Sequence, residues 1–235
     1  PLTSSGCQAR IALPVACFIC RVSNAGGIAA SGEGVSYMTI AMCYLSTEGI
    51  VLGADSTASI FLPTGFHFFN HNQKIFEIGE DSTFGALTWG LGGLGNVSHR
   101  TLLALLADDL KVNPPVDVAD VANRWAARFW IAYSATPDLA AAIAHLKTLD
   151  AKSPFDTAAT PATAGARTRE EEDQFQALKL QLLVGFCIAG YVPGTRIPEA
   201  YEIVFDPLLG QPVPVQVPSL NHKFWGAPNV IHRLI

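Results

Sequence analysis

Charge of either sign is scarce in this chain, and none of it gathers into a basic stripe. Lys, Arg, Asp and Glu together make up 15% of the 235 residues and leave a net charge of −5. That balance argues against a nucleic-acid surface. Long hydrophobic runs are missing as well. No stretch reaches the roughly 18 consecutive apolar residues that mark a membrane-spanning helix. Cysteine is sparse and odd in number: Cys7, Cys17, Cys20, Cys43 and Cys187. Without a spaced framework, that set points to a reducing compartment and a cytoplasmic location. The CxxC at Cys17-Phe18-Ile19-Cys20 has no second pair and no His set beside it, so it does not read as a metal or redox site. Cys43 and Cys187 fall in apolar runs and read as core fillers. No GxSxG elbow occurs, which removes the α/β-hydrolase reading, and no internal repeat is evident.

What is present allows one large domain with a sizeable core, at 49% apolar residues. Its most informative stretch runs from Met38 to Asp55. Two apolar, β-prone runs, Thr39–Leu45 and Ile50–Ala54, flank Ser46-Thr47-Glu48-Gly49. That pattern reads as a β-hairpin. A hairpin returns on itself, so Thr39 and Asp55 are expected to meet at its open end. With Met38 removed, Thr39 carries a free α-amine beside its own hydroxyl, the arrangement of an N-terminal Thr nucleophile whose amine acts as base. Lys74 opens an alternating run, Lys74–Ile78. An ammonium held beside the Thr hydroxyl favours loss of its proton, and an Asp nearby holds the Lys in place. A Gly-rich turn, Gly90–Asn96, follows a further strand, Phe84–Trp89, and precedes a helix. Such a turn offers backbone N–H groups to a developing oxyanion.

In this order, the Thr, the hairpin, Gly53-Ala54-Asp55-Ser56, the Lys and Gly92-Gly93 resemble the proteasome β-type peptidases, including the bacterial proteasome-like peptidases of ATP-dependent proteases. These are N-terminal nucleophile (Ntn) hydrolases. The resemblance covers Met38 to the C-terminus, and the spacing from Thr39 to Asp55 matches the family without a gap. It implies Thr39 as nucleophile, Asp55 as the carboxylate that orients the Lys, and Lys74 as the cation that activates the hydroxyl. Gly92 would supply the oxyanion-hole N–H. It also implies an α+β fold, the four-layer αββα sandwich, with no metal or organic cofactor. The implied substrate is a peptide or protein and the implied assembly a homo-oligomeric ring, with neither nucleic acid nor membrane as partner. Two alternatives stand beside peptide hydrolysis: a non-catalytic assembly subunit of the same fold, and an Ntn amidase for small molecules. Phe61–Asn72 stands as an aromatic, His-containing insertion, and Asn96 stands where the family has Asp.

Residues 1–37 read differently from the domain spanning 38–235. Arg10 followed by Ile11–Cys20 mimics a signal peptide. A propeptide is a second reading, although self-cleaving family members carry Gly where Met38 stands. A third is upstream sequence translated ahead of a true start at Met38, which is the reading preferred here.

Downstream the period changes. Ser98–Leu110 has helical spacing with Ser98 as cap, and Asn113-Pro114-Pro115 stops it. Asp117–Ser134 is a second amphipathic helix with Val118, Val121, Trp125, Phe129 and Ala132 on one stripe, the mark of a core face. Helices after paired strands suit a helical layer packed on a sheet. Asp150–Thr168, rich in Ala, Thr and Pro, reads as a loop. Arg169–Asp173 reads as a solvated, acidic helix start rather than a metal site. Leu180–Tyr191 and Ala200–Phe205 read as strands, and Lys223–Asn229 as a strand entering a turn. Family members continue well past this point, so truncation at the C-terminus is expected. His67 and His71, four apart, read as loop residues, and His99 as a surface residue at a helix start.

Overall fold

The computed structural model describes residues 15–17, 39–62, 65–69, 72–156, 165–192 and 194–226; for 15–17, 58–62 and 65–69 the backbone alone is described. Strand β1 (Val15–Cys17) precedes the expected hairpin of β2 (Ile40–Leu45) and β3 (Ile50–Ala54). Ser46 closes the hairpin loop: its Oγ donates to Gly49 O (3.1 Å) and accepts from Gly49 N (3.2 Å). The segment expected as an insertion, Phe61–Asn72, overlaps a second pair of antiparallel strands that starts three residues earlier, β4 (Ala58–Leu62) and β5 (Gly65–Phe69). His67 therefore sits on a strand, not in a loop, while His71 lies outside the described residues. Strands β6 (Ile75–Glu77) and β7 (Phe84–Gly90) follow.

Four helices come next among the described residues. Helix α1 (His99–Val112) is capped by Ser98, whose Oγ accepts from Thr101 N at 3.1 Å, and α2 (Val118–Ala135) by Asp117, whose Oδ1 accepts from Asp120 N at 2.7 Å. Helix α3 (Pro137–Asp150) was not legible in the sequence pattern. Its Ala-rich run buries only Leu146 and Leu149, too few for a periodic stripe, and its start is marked by Pro137 and Asp138 in the first turn, with no side-chain cap bond from Thr136. Helix α4 (Arg169–Leu182) opens on a capping box between Thr168 and Glu171, so the acidic run caps a helix as expected. It also runs three residues into the segment expected to be strand. Leu182 is buried with Leu146, Leu149 and Phe175, and that packing holds Leu180–Leu182 helical. Strands β8 (Val184–Gly190), β9 (Glu199–Phe205), β10 (Val215–Gln216) and β11 (Asn221–Gly226) complete the chain.

The fold is mixed α+β, with two principal sheets. One has the order β1-β3-β2-β11 and the other β10-β9-β8-β7-β6. Pairing is antiparallel throughout except for β1, which runs parallel to β3. Period-2 alternation assigns the faces. Ala41, Cys43 and Leu45 of β2, and Ile50 and Leu52 of β3, meet Leu87 and Trp89 of β7 and Cys187 and Ala189 of β8 between the sheets. Phe84 and Ala86, then Val184, Phe186 and Ile188, face the opposite way, onto Leu103, Leu106, Trp125 and Phe129 of the helices. β7 and β8 are thus buried on both faces, which is why they read as continuous apolar runs. Cys43 and Cys187 are free thiols in hydrogen-bonding contact across the inter-sheet core. That contact and burial push the Cys187 thiol up, while the same contact pulls the Cys43 thiol down; both side chains fill the inter-sheet core. Among the described residues, all four helices belong to the layer on the five-stranded sheet. No helix among them is long and apolar enough to cross a membrane.

Phe129 anchors the helical layer, fully buried and in ring contact with Trp125, Tyr133, Phe186, Phe205 and His99. Truncation of such a ring leaves a cavity that the surrounding rings cannot fill. Phe129→Ala is expected to cost about 3–5 kcal/mol of folding stability, read from denaturant unfolding midpoints.

Candidate functional site

The hairpin brings its two ends together as the sequence implies. Asp55 N donates to Ile40 O at 2.9 Å, and Ile40 N donates to Asp55 Oδ1 at 2.8 Å. The other carboxylate oxygen, Oδ2, accepts from Thr57 N at 3.1 Å. Asp55 is therefore fixed by two backbone amides before any side chain approaches it. The β4–β5 hairpin then leaves and returns within a short span, because Asn72 N donates to Ser56 O at 2.8 Å. The insertion therefore does not lengthen the path from Asp55 to Lys74 in space.

Lys74 enters the core from that return point and is 7% exposed. A buried ammonium needs several acceptors, and three surround it. Its Nζ donates to Asp55 Oδ1 at 2.7 Å, to Thr57 O at 2.6 Å and to Thr39 Oγ1 at 3.5 Å. Three of the four residues singled out in the sequence thus converge in one cluster. Thr57 is the member that sequence reasoning missed. Its carbonyl accepts from the ammonium, and a carbonyl leaves no trace in residue type.

A cleft of about 220 Å³ opens beside Thr39, lined by Lys74, Phe76, Trp89, Gly92 and His99 among others, with the exposed Arg100 also bordering it. The glycines of the turn divide into two kinds. Gly90 has φ +82°, and a Cβ there would lie 2.3 Å from Leu183 O, so backbone geometry alone requires glycine. At Gly92 an added Cβ would meet nothing within 4 Å. Packing therefore does not require glycine at 92. The turn itself is pinned on either side of Gly92, by Leu91 N donating to Leu183 O (2.9 Å) and by Leu94 and Val97 exchanging two 3.0 Å bonds.

His99 departs from expectation. It is buried, not on the surface, with edge-on contacts to Phe129 and Phe186, and its Nε2 has no hydrogen-bond partner among the described residues. The start of α1 is pressed against the core by Leu102, Leu103 and Leu106, and that rotation carries His99 inward. Burial pulls its pKa from 6.5 down to about 4. Among the described residues, no group of three His, Cys, Asp or Glu is placed to hold a metal ion.

Between pH 6.5 and 4 the unfolded chain protonates His99 while the folded chain does not. Stability present above about pH 6.5 is therefore lost as pH falls toward about 4, by up to about 3 kcal/mol from this group. Denaturant midpoints measured across this range should fall less steeply for His99→Gln than for the wild type. Asp55→Ala leaves a buried ammonium without its counter-ion and is expected to destabilise the fold by about 3–5 kcal/mol. Lys74→Met/Asp55→Asn, which removes both charges, should cost clearly less in the same unfolding assay. Compared with known proteins, the chain matches no family model and no curated protein.

Proposed function

We propose that this chain is a threonine-type amide hydrolase acting on peptide bonds, with the αββα architecture and ring assembly of the proteasome-like Ntn hydrolases. The observation that carries the proposal is the contact of Lys74 Nζ with both Thr39 Oγ1 (3.5 Å) and Asp55 Oδ1 (2.7 Å) at the edge of a cleft. A Thr hydroxyl beside a buried, carboxylate-held ammonium is unusual for a merely structural strand start. The resemblance of the ordered Thr, Asp, Lys and Gly-Gly elements supports the same reading, as do the two face-to-face sheets with helices on one side.

In this mechanism Thr39 Oγ attacks the substrate carbonyl, and its proton passes to the Thr39 α-amine. Lys74 stabilises the alkoxide character that develops on Oγ. The carbonyl oxygen, now bearing the charge, faces the Gly92 N–H. The amine then protonates the leaving nitrogen, and water attacks the acyl ester to free Thr39. No metal or organic cofactor enters. Peptide or protein substrates in the cytoplasm, processed inside a homo-oligomeric ring, complete the proposal.

A second reading has one observation in its favour. β1 lies upstream of Thr39 and pairs with β3 at the sheet edge. A mature chain that keeps that strand has an amide, not an amine, at Thr39, and would serve as a non-catalytic assembly subunit. Intact mass and N-terminal sequencing of the mature protein separate the two. A chain beginning at Thr39, labelled there by a peptide vinyl sulfone, supports the hydrolase; a chain keeping residues before Thr39 and refusing the label overturns it. In the hydrolase, Thr39→Ala abolishes labelling and turnover. Lys74→Ala is expected to lower kcat by about 10²–10³-fold in peptide-amide hydrolysis.

A further inference from the structure

Strand β11 ends against the residue on which the proposed chemistry depends. Its register with β2 places Gly226 opposite Ile40 and Trp225 opposite Ala41. Gly226 has φ +90°, a conformation that L side chains rarely adopt. A Cβ built there would lie 1.6 Å from the Thr39 carbonyl oxygen, 2.6 Å from its carbonyl carbon and 3.4 Å from its Cα. All three are backbone atoms, so no flexible side-chain end can swing aside to make room. Either Thr39 or β11 must move.

β11 is held from the other side. Trp225 stacks on Trp89, with ring centroids 4.5 Å apart and planes 14° from parallel. The Trp225 Nε1 donates to Glu202 of β9, and Lys223 pairs with the same carboxylate. Trp225 is buried between the sheets. The strand is thus anchored to the five-stranded sheet through β7 and β9, while its last residue abuts Thr39. A side chain at 226 would act on Thr39 rather than on the anchored strand.

We propose that Gly226 is a positioning residue for Thr39, a backbone wall that sets the 3.5 Å separation of Thr39 Oγ1 from Lys74 Nζ. The inference rests on the reading of Thr39 as nucleophile. Gly226 does not line the cleft. A substitution there therefore misplaces the nucleophile and leaves the walls that meet a substrate in place. The signature is a fall in kcat without a change in KM, with kcat taken per folded molecule from the unfolding curve so that a loss of active fraction is not counted.

The test uses the full-length protein, a fluorogenic peptide amide and a peptide vinyl sulfone. For Gly226→Ala, kcat and the rate of Thr39 labelling are expected to fall by about 10²-fold, with KM within about twofold of wild type. Trp225→Phe keeps a ring on Trp89 but loses the Nε1 bond to Glu202, and is expected to lower kcat by about 3–10-fold at unchanged KM. Should Gly226→Ala not fold, Trp225→Phe decides: a fall in kcat alone supports the proposal, and wild-type kinetics overturn it. A folded Gly226→Ala with wild-type kcat and labelling rate overturns the positioning role and leaves Thr39 as nucleophile. A wild-type protein that neither turns over the amide nor labels at Thr39 overturns both.

Discussion

The Asp55 carboxylate accepts from two backbone amides and one buried ammonium, at the point where the first hairpin closes. Remove that carboxylate and three things lose their reason for being where they are. Ile40 N loses its acceptor, leaving only the bond from Asp55 N to Ile40 O at the open end of the hairpin. The turn at Thr57 loses the bond that aims its carbonyl inward. Lys74 is left as an uncompensated charge in a site where it is only 7% exposed. The cleft is thus organised around a counter-ion whose own geometry is set by the main chain. That is a stiffer support than another side chain would provide, because backbone amides in a paired hairpin have no rotamers to lose.

The rest of the fold keeps this point still. β7 and β8 are covered on both faces, by the inter-sheet core on one side and by α1 and α2 on the other. Neither strand can slide by one residue without exchanging every apolar side chain for its opposite face. β6 hangs on β7, and Lys74 immediately precedes β6, with Thr88 N bonded to Lys74 O at 2.9 Å. The inter-sheet core, with its Trp89–Trp225 stack, then sets how far the Lys74 side stands from the Thr39 side. Two sheets packed to interior density transmit position with little slack.

The parts legible in the sequence are those with a local cause. The β2–β3 hairpin follows from two β-prone runs around a Ser-Thr-Glu-Gly loop. The starts of α1, α2 and α4 follow from Ser98, Asp117 and Thr168, each of which accepts from a backbone amide of the first turn. Helix α3 escaped because an Ala-rich segment has no strong stripe, and its helicity is supported by packing against α4. The end of α4 differs from its sequence pattern for a related reason: the Leu180–Leu182 stretch sits in an apolar run that reads as strand, and a distant cluster keeps it helical. A polar residue at a helix start such as His99 is usually solvated, and only the orientation of α1 buries it.

The sequence by itself determined the order of the residues on which the proposal rests: Thr39, Asp55 at the close of its hairpin, Lys74 and the glycine turn. Hairpin closure is a local event, so the meeting of Thr39 and Asp55 could be read from spacing. The tertiary structure alone decided that Lys74 crosses a whole β-hairpin insertion to reach them, that Thr57 lends a carbonyl, and that Gly226, nearly the length of the described chain away, stands against Thr39. Those contacts depend on sheet order and on the distance between packed sheets. Residue type and short-range periodicity carry no information about either.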